Sequence, residues 1–439
     1  MVATLRRLGL IGGAALLAAA CGGSDGDDLA GGGTDGGGGA ATGGAAGTGG
    51  GSSGAGGSAA GAGAAGASGA GGASGAGSGG TSGGGTGGTS GAAGTGGGGG
   101  VGGGVPVTAP DNEWTWVPDP TARCRNGSET GFGIRINPSS DKVMIFLEGG
   151  GACFNGITCG TNPSSFGSSQ FDAWKDNGGT RGVFDQSKNE NPVKDWSHVY
   201  VPYCTGDVHA GARPDASGIP GISGTNQFVG YTNMTKFLLR VAATFPSAAQ
   251  VLLTGVSAGG FGAAANFPQT QRIFGSIPVT LIDDSGPPMS KTYVSECLQE
   301  KFRTTWGLDQ TIIADCGPAC PKQNDFLGDF AKFLASYGNR TVSLISSRAD
   351  SVITFFYGFG QNNCPAFALP MSATMFAQGL DELRGSLWAG YSNVGTFYIN
   401  GSTHTYLGGG GFYTTSAAGT SLVSWVSDVI AGNPSHVGP

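Results

Sequence analysis

Six short apolar runs predict β-strands, and three amphipathic segments predict helices that alternate with them. The runs are nearly continuous in apolar residues, which is typical of strands covered on both faces of a parallel sheet. They are Lys142–Leu147, His198–Tyr203, Gln250–Thr254, Pro278–Ile282, Thr341–Ile345 and Gly395–Ile399. The helical patterns, with apolar residues on one stripe, cover Asn233–Phe245, Asp329–Tyr337 and Ser421–Ile430. This alternation predicts an α/β fold with a mostly parallel central sheet and helices on both faces.

The N-terminus has the pattern of an export signal. Arg6 and Arg7 precede the apolar stretch Leu8–Ala20, which is too short to span a bilayer but has the length of a signal-peptide core. The segment Ala18–Cys21 (AAAC) resembles the lipobox of bacterial lipoproteins, in which the cysteine carries the lipid. The resemblance implies that residues 1–21 are a lipoprotein-type signal peptide and that Cys21 is lipidated. Ordinary signal cleavage nearby is the alternative.

Residues 22–110 form a tract of glycine, alanine, serine and threonine. Residues 1–105 contain 47 of the 89 glycines, and no charged residue lies between Asp35 and Asp111. Without large apolar side chains the tract cannot offset its chain entropy, so we expect a disordered linker. It is either a spacer that holds a domain away from a lipid surface or a low-complexity tract of unselected length. Residues 111–439 then form one folded domain.

Charge and hydropathy exclude two classes of protein. The chain has 22 Lys and Arg against 29 Asp and Glu, a net charge of −7, and it contains no basic block. Because non-specific nucleic-acid binding draws on many phosphate contacts from such residues, we expect no nucleic-acid partner. After residue 20 no apolar run approaches the roughly 18 residues of a spanning helix. We therefore expect membrane attachment only through an N-terminal lipid. The oligomeric state stays open.

Cysteine usage agrees with export, to the cell envelope as a lipoprotein or into the medium. Apart from Cys21 the chain has eight cysteines, an even number: Cys124, Cys153, Cys159, Cys204, Cys297, Cys316, Cys320 and Cys364. In an oxidising compartment we expect disulfides, but the spacing does not give the pairing. The pairs Cys153–Cys159 and Cys316–Cys320 are close enough to form local loops. A thiolate zinc site is the alternative, although the four histidines are not at ligand spacing beside the cysteines.

A candidate nucleophile follows the strand Gln250–Thr254. The sequence Gly255–Gly260 (GVSAGG) contains G-x-S-x-G between a buried strand and a small-residue helix, Gly262–Asn266. On such a strand–turn–helix element the serine is exposed at the carboxyl end of the sheet, and the helix N-terminus favours developing negative charge. The context therefore predicts Ser257 as a nucleophile, with a simple tight turn as the alternative.

A serine nucleophile needs a base and an acid that orients the base. In α/β-hydrolases the chain order is Ser, acid, His, which excludes His198 and His209. Of the other two histidines, His436 comes after the last helix, so His404, in the loop after Gly395–Ile399, is the expected base. The acid should follow a strand between Ser257 and His404. Asp350, after Thr341–Ile345, is the favoured acid, and Asp283 or Asp284 is the alternative. For His404 the alternative is an exposed loop histidine.

Backbone N–H groups must stabilise the oxyanion of such a reaction. The N–H of Ala258, directly after the nucleophile, is one expected donor. The glycine-rich segment Leu147–Cys153 (LEGGGAC) follows the first strand and offers Gly150 and Gly151 as further donors. An ordinary strand-ending turn is the alternative. This chemistry needs no metal and no cofactor.

Four segments in order resemble motifs of the pectin acetylesterase family, which includes the Notum carboxylesterases and has an α/β-hydrolase-like fold. They are Leu147–Cys153 (LEGGGAC), Pro202–Gly211 (PYCTGDVHAG), Gly255–Gly260 (GVSAGG) and Asp284–Gly286 (DSG), and the resemblance extends upstream to Cys124–Ser128 (CRNGS). It covers roughly residues 115–430. Ala152 stands where plant members have tryptophan, His209 replaces another aromatic residue, and threonine rather than cysteine follows His404.

The resemblance implies a serine carboxylesterase with Ser257 as nucleophile, Asp350 as acid and His404 as base, and with Gly150, Gly151 and Ala258 as oxyanion donors. Plant members imply acetyl esters of a polysaccharide such as pectin as substrate. The aromatic stretch Phe355–Phe376 is either a wall or lid for the acyl group or part of the core. Two other functions stay open. One is a non-catalytic surface-binding lipoprotein, and the other is a lipase or polyester depolymerase with the same triad.

Overall fold

The structure, a computed structural model, describes residues 103–364 and 369–439. The predicted signal peptide at residues 1–21, the lipidation of Cys21 and residues 22–102 of the predicted linker lie outside the described residues. Within the described ranges, no helix combines the length and the apolar character that crossing a membrane demands.

A nine-stranded sheet organises the domain. Its order is β1-β2-β4-β3-β7-β8-β9-β10-β13, with two separate two-stranded sheets, β5-β6 and β11-β12. Neighbours from β4 through β13 run parallel, whereas β2 is antiparallel to both β1 and β4. The strands are β1 Thr115–Arg123, β2 Glu129–Arg135, β3 Lys142–Leu147, β4 Ser197–Val201, β5 Arg213–Ala216, β6 Asn226–Phe228, β7 Gln250–Val256, β8 Val279–Asp284, β9 Val342–Ser347, β10 Val394–Ile399, β11 Ser416–Ala417, β12 Thr420–Ser421 and β13 His436–Val437. The predicted α/β fold with a mostly parallel sheet is confirmed.

Helices connect the parallel strands. The α-helices are α1 Gly156–Gly160, α2 Ser168–Lys175, α3 Gly230–Thr244, α4 Ala258–Phe274, α5 Glu296–Trp306, α6 Ile312–Cys316, α7 Phe326–Ala335, α8 Ser351–Gly358, α9 Ala373–Glu382, α10 Gly411–Thr414 and α11 Leu422–Ile430. Short 3₁₀ turns cover Gly178–Thr180, Gly182–Phe184, Leu308–Gln310, Gly317–Ala319 and Gln361–Asn363, and a π-turn covers Leu383–Leu387. All three predicted helices are present as α3, α7 and α11.

The sheet has a hydrophobic core on each face. Successive residues of β3 alternate between the two cores, because side chains of a strand point to opposite faces in turn. Val143 and Ile145 pack in the larger core together with apolar residues of α3, α4 and α7. Met144 and Phe146 pack in the smaller core with residues of α11. Burial on both faces explains why the parallel strands have continuous apolar sequences.

Four disulfides link the eight cysteines of the domain. Two close local loops, Cys153–Cys159 and Cys316–Cys320, as the spacing suggested. The other two are Cys124–Cys204 and Cys297–Cys364, which join distant segments of the chain. The expectation of disulfides is confirmed, and each of the eight cysteines is part of one disulfide. Such cross-linking is typical of proteins that fold in an oxidising compartment.

His198 on β4 is a buried histidine that makes stability depend on pH. Its Nε2 lies 2.8 Å from the carbonyl oxygen of Val193, and its ring packs against Trp114 and Phe184. Within the described ranges its Nδ1 has no hydrogen-bond partner. Burial lowers the pKa of His198 from 6.5 to about 4. Between these values the unfolded chain binds a proton that the folded chain does not, so acidification favours unfolding.

We therefore expect His198→Phe to flatten the acid side of the stability curve. From pH 6.5 down to pH 4, the wild-type free energy of unfolding should lose about 3 kcal/mol through His198, at 1.4 kcal/mol per pKa unit. Urea denaturation of both proteins at several pH values measures the difference between the two slopes. If the variant lost as much stability on acidification as the wild type, His198 would not be the group responsible.

Candidate active site

Ser257 occupies a sharp turn between β7 and α4. Its backbone has φ 57° and ψ −121°, a conformation that is costly for a residue with a side chain. The turn packs closely on the loop after β3, since a Cβ on Gly259 would overlap the carbonyl oxygen of Leu147. The Ser257 N–H donates to the carbonyl oxygen of Asp284, at the end of β8, over 2.8 Å. This geometry matches the strand–turn–helix element that the sequence predicted.

His404 and Asp350 are in direct contact at the carboxyl ends of β10 and β9. His404 Nδ1 lies 2.7 Å from Asp350 Oδ2. The other carboxylate oxygen, Oδ1, accepts the N–H groups of Val352 and Ile353 at 2.9 Å each and so caps α8. The carboxyl group is fully buried and bonded on both oxygens, so it fixes the ring of His404 with Nε2 pointing away from Asp350. That nitrogen is covered and has no hydrogen-bond partner among the residues that the structure describes.

Asp284 joins the loop of His404 to the turn of Ser257. Its carbonyl oxygen accepts the Ser257 N–H, and its Oδ2 accepts the N–H groups of Tyr406 and Leu407 at 2.7 Å each. Burial raises the pKa of Asp284 to about 6, and the two backbone amides oppose that rise. One residue thus holds both segments that carry the predicted nucleophile and base.

The three candidate acids have different partners. Asp350 bonds to the imidazole, whereas the carboxylate of Asp284 bonds to backbone amides and to the hydroxyl of Ser285. Asp283 is buried, its Oδ1 has no hydrogen-bond partner among the described residues, and burial beside Asp284 raises its pKa well above the ordinary value. The role of Asp284 as a clamp was missed from the sequence, although its place in the DSG motif was noted.

The glycine-rich loop after β3 lies beside Ser257. Gly151, Ala152 and Ala258 line the same cavity as Ser257. The carbonyl oxygen of Gly150, another predicted donor, accepts the side-chain amide of Asn162.

An apolar cavity opens at Ser257. It holds about 780 Å³ of empty space, part of it open to solvent, and none of the described residues that line it has a charged side chain. Most of its aromatic wall comes from the helices α4, α5, α7 and α8: Phe261, Phe302, Trp306, Phe326, Phe330, Phe356 and Tyr357. Of the stretch Phe355–Phe376, Phe356 and Tyr357 line the cavity, while Phe359 and Phe376 are buried in the core. Residues 365–368 of that stretch lie outside the described ranges.

The chain resembles known proteins in sequence and in fold. It is 28% identical over 221 residues to the palmitoleoyl-protein carboxylesterase NOTUM of Drosophila melanogaster, covering 46% of this chain and 32% of that protein. It is 30% identical over 175 residues to NOTUM of Mus musculus, covering 37% and 33%. The chain thus spans about a third of the length of these curated relatives.

The fold and the family are supported by two further comparisons. A solved structure of the Wnt deacylase Notum from Drosophila superposes with a TM-score of 0.53 at 19% identity, covering 75% of this chain and 96% of that one. This match shows a shared fold. The sequence model of the pectinacetylesterase family matches residues 109–353, more than half of the chain. Taken with the site geometry, this match means that the chain belongs to the pectinacetylesterase family.

Proposed function

We propose that the protein is a serine carboxylic-ester hydrolase in which Ser257 is the nucleophile, His404 the base and Asp350 the acid. The observation that carries the proposal is the contact between His404 and Asp350, in a loop that Asp284 ties to the turn of Ser257. The carboxylesterase names of the relatives support the same chemistry.

The proposed reaction proceeds in two steps. The Nε2 of His404 takes the proton of Ser257 as Oγ bonds to the ester carbonyl carbon, and the carbonyl oxygen becomes an oxyanion. In our proposal the N–H groups of Gly151 and Ala258, both expected from the sequence, and that of Ala152, in place of Gly150, face that charge at the N-terminus of the 17-residue helix α4. The alcohol leaves with the proton from His404. Water then attacks the acyl-enzyme while His404 takes its proton, and the carboxylic acid product is released as Ser257 regains a proton from His404.

Asp350 serves this reaction through the imidazole. It accepts the proton on Nδ1, which leaves Nε2 unprotonated and able to act as a base. It also stabilises the imidazolium that forms when His404 takes the serine proton. Its own position is fixed by the two amides of α8, so the orientation of His404 does not depend on a free rotamer.

The cavity favours an acyl group longer than acetyl. Its wall is almost wholly apolar and rich in aromatic side chains, so burial against it stabilises an acyl chain that has more carbon atoms than acetyl. Acetyl esters of a polysaccharide, implied by the family description, remain the alternative substrate, and the names of the relatives support a fatty acyl group.

A series of p-nitrophenyl esters from C2 to C10, together with acetylated pectin and xylan, tests the proposal. We expect kcat/KM to rise with chain length, by at most about fourfold per methylene, because each buried CH₂ contributes about 0.8 kcal/mol. Ser257→Ala provides the background rate. Best activity on acetate, with a fall at each added methylene, would overturn the acyl assignment, and no hydrolysis above background would overturn the esterase itself.

A further inference from the structure

We infer that Tyr203 and Asn162 are positioning residues that hold the glycine-rich loop so that two of its backbone N–H groups face the cavity at Ser257. The inference rests on the proposed function, because amides aimed at this point act only if an oxyanion forms there. It also assigns a role to two segments that the proposed triad leaves unused, the PYC segment at Pro202–Cys204 and the CRN segment at Cys124–Asn126.

The hydrogen bonds behind the loop set the direction of its peptide groups. The hydroxyl of Tyr203 donates to the carbonyl oxygen of Gly151 over 2.8 Å, and Nδ2 of Asn162 donates to that of Gly150 over 2.6 Å. In a planar trans peptide, the C=O of one residue and the N–H of the next point in opposite directions. The N–H groups of Gly151 and Ala152 therefore point away from the two side chains. Both residues line the cavity with Ser257.

The loop backbone cannot hold this arrangement by itself. Gly150 and Gly151 have φ values of 155° and 79°, and glycine has no Cβ to restrict rotation of the adjoining peptide groups. A rotated peptide would turn its N–H out of the cavity and its carbonyl oxygen into it, where it would repel an oxyanion. The side-chain donors supply the restraint that these glycines lack.

Both positioning residues are themselves fixed. Tyr203 is 1% exposed, and its hydroxyl accepts the N–H of Val208 over 2.9 Å, which commits the hydroxyl hydrogen to Gly151. Nη2 of Arg125 donates to the backbone carbonyl oxygen of Asn162 over 2.8 Å, and the same nitrogen lies 3.1 Å from the backbone carbonyl oxygen of Cys159. Arg125 therefore braces the loop that carries Asn162.

Disulfides enclose this group on two sides. Cys204, next to Tyr203, is bonded to Cys124, next to Arg125. Cys153, which ends the glycine-rich loop, is bonded to Cys159. The polar contacts and the two disulfides together form a rigid support behind the oxyanion loop.

Tyr203→Phe tests the inference, since it removes one oxygen atom. We expect kcat to fall about 10- to 100-fold with KM within about twofold, a smaller loss than removal of a direct oxyanion donor causes. Active sites are counted by fluorophosphonate labelling, so that unfolded protein does not lower kcat. Tyr398→Phe is the matched control: its fully buried hydroxyl donates to the carbonyl oxygen of Leu380 over 3.0 Å, away from the site. It should keep the wild-type kcat.

An inhibitor separates positioning from general stability. Oγ of Ser257 adds to the carbonyl carbon of a trifluoromethyl ketone. The ketone oxygen then becomes an oxyanion, and the serine proton passes to His404. We expect the inhibition constant of Tyr203→Phe to rise by the same factor as kcat falls. Asn162→Ala should behave alike, and it decides the matter if Tyr203→Phe does not fold.

The outcomes also separate this inference from the proposed function. If the wild-type protein neither hydrolyses esters nor reacts with fluorophosphonate, the proposed function fails and the inference fails with it. If the wild type does both, and the positioning variants keep its kcat and its affinity for the ketone, the inference alone is overturned.

Discussion

We expect Ser257→Ala to lower kcat for ester hydrolysis by a factor on the order of 10⁴ to 10⁶, because in the proposed mechanism the variant has no atom to form the acyl-enzyme. Its fold is expected to persist. The Ser257 side chain does not cap α4, so its removal takes no hydrogen bond from the helix N-terminus. Stopped assays on the best p-nitrophenyl ester measure the loss, and reaction with a fluorophosphonate should disappear in the same variant.

His404→Ala serves as the companion to this experiment. Members of a triad act as a unit, so the single variants and the double variant should lose activity to about the same extent. If the loss of kcat in the double variant equalled the product of the two single-variant losses, the two side chains would act independently. Retention of labelling in Ser257→Ala, with the label on another residue, would assign the nucleophile elsewhere.

Asp350→Asn is expected to lower kcat by about 10⁴ while leaving the fold intact. The amide NH₂ would face Nδ1 of His404, which can then only accept, so the imidazole proton moves to Nε2. A protonated, neutral Nε2 cannot take the serine proton. The remaining amide oxygen still faces the N–H groups of Val352 and Ile353, and asparagine caps helices as well as aspartate does.

Two further variants separate the catalytic from the structural contribution of Asp350. Asp350→Ala removes the cap as well, so it should lose activity and also about 1 kcal/mol of stability. Ser372→Ala removes a comparable cap, the bond from the Met375 N–H to Ser372 Oγ at the start of α9, and should lose stability without loss of kcat. If Asp350→Asn kept a tenth or more of the wild-type kcat, Asp350 would not be the acid.

The sequence predicted the parallel part of the sheet well and its antiparallel edge not at all. Strands β3, β7 and β10 are continuous apolar runs because both of their faces are buried. Edge strand β1 contains Pro118 and Pro120, which break a strand pattern, and β2 contains Gly131 and Gly133. A Cβ on Gly131 would overlap the carbonyl oxygen of Val117, so close approach of the two strands explains this glycine.

The sequence predicted the candidate site residues that are identified by their order along the chain. It did not predict the contacts that form between distant segments when the chain folds. His404 and Asp350 follow strands that end at the same edge of the sheet, so chain order made them the favoured base and acid, with Asp283 or Asp284 as the alternative acid. The hydrogen bonds of Tyr203 and Asn162 to the glycine-rich loop join segments that no short pattern connects. In the sequence, cavity residues such as Phe302 and Phe330 are indistinguishable from core residues, because both lie on the apolar stripe of a helix.

The close packing of Gly259 on Leu147 has an evolutionary consequence. The nucleophile turn and the loop opposite it meet main chain to main chain, so their separation is set without any side-chain rotamer. Helices α5 and α7 supply much of the aromatic wall of the cavity. On α5, Trp306 also donates its Nε1–H to the carbonyl oxygen of Cys153, at the end of the glycine-rich loop, over 2.8 Å. Substitutions at the other aromatic positions of these helices, Phe302, Phe326 and Phe330, can therefore reshape the cavity one residue at a time while this main-chain contact is inherited unaltered.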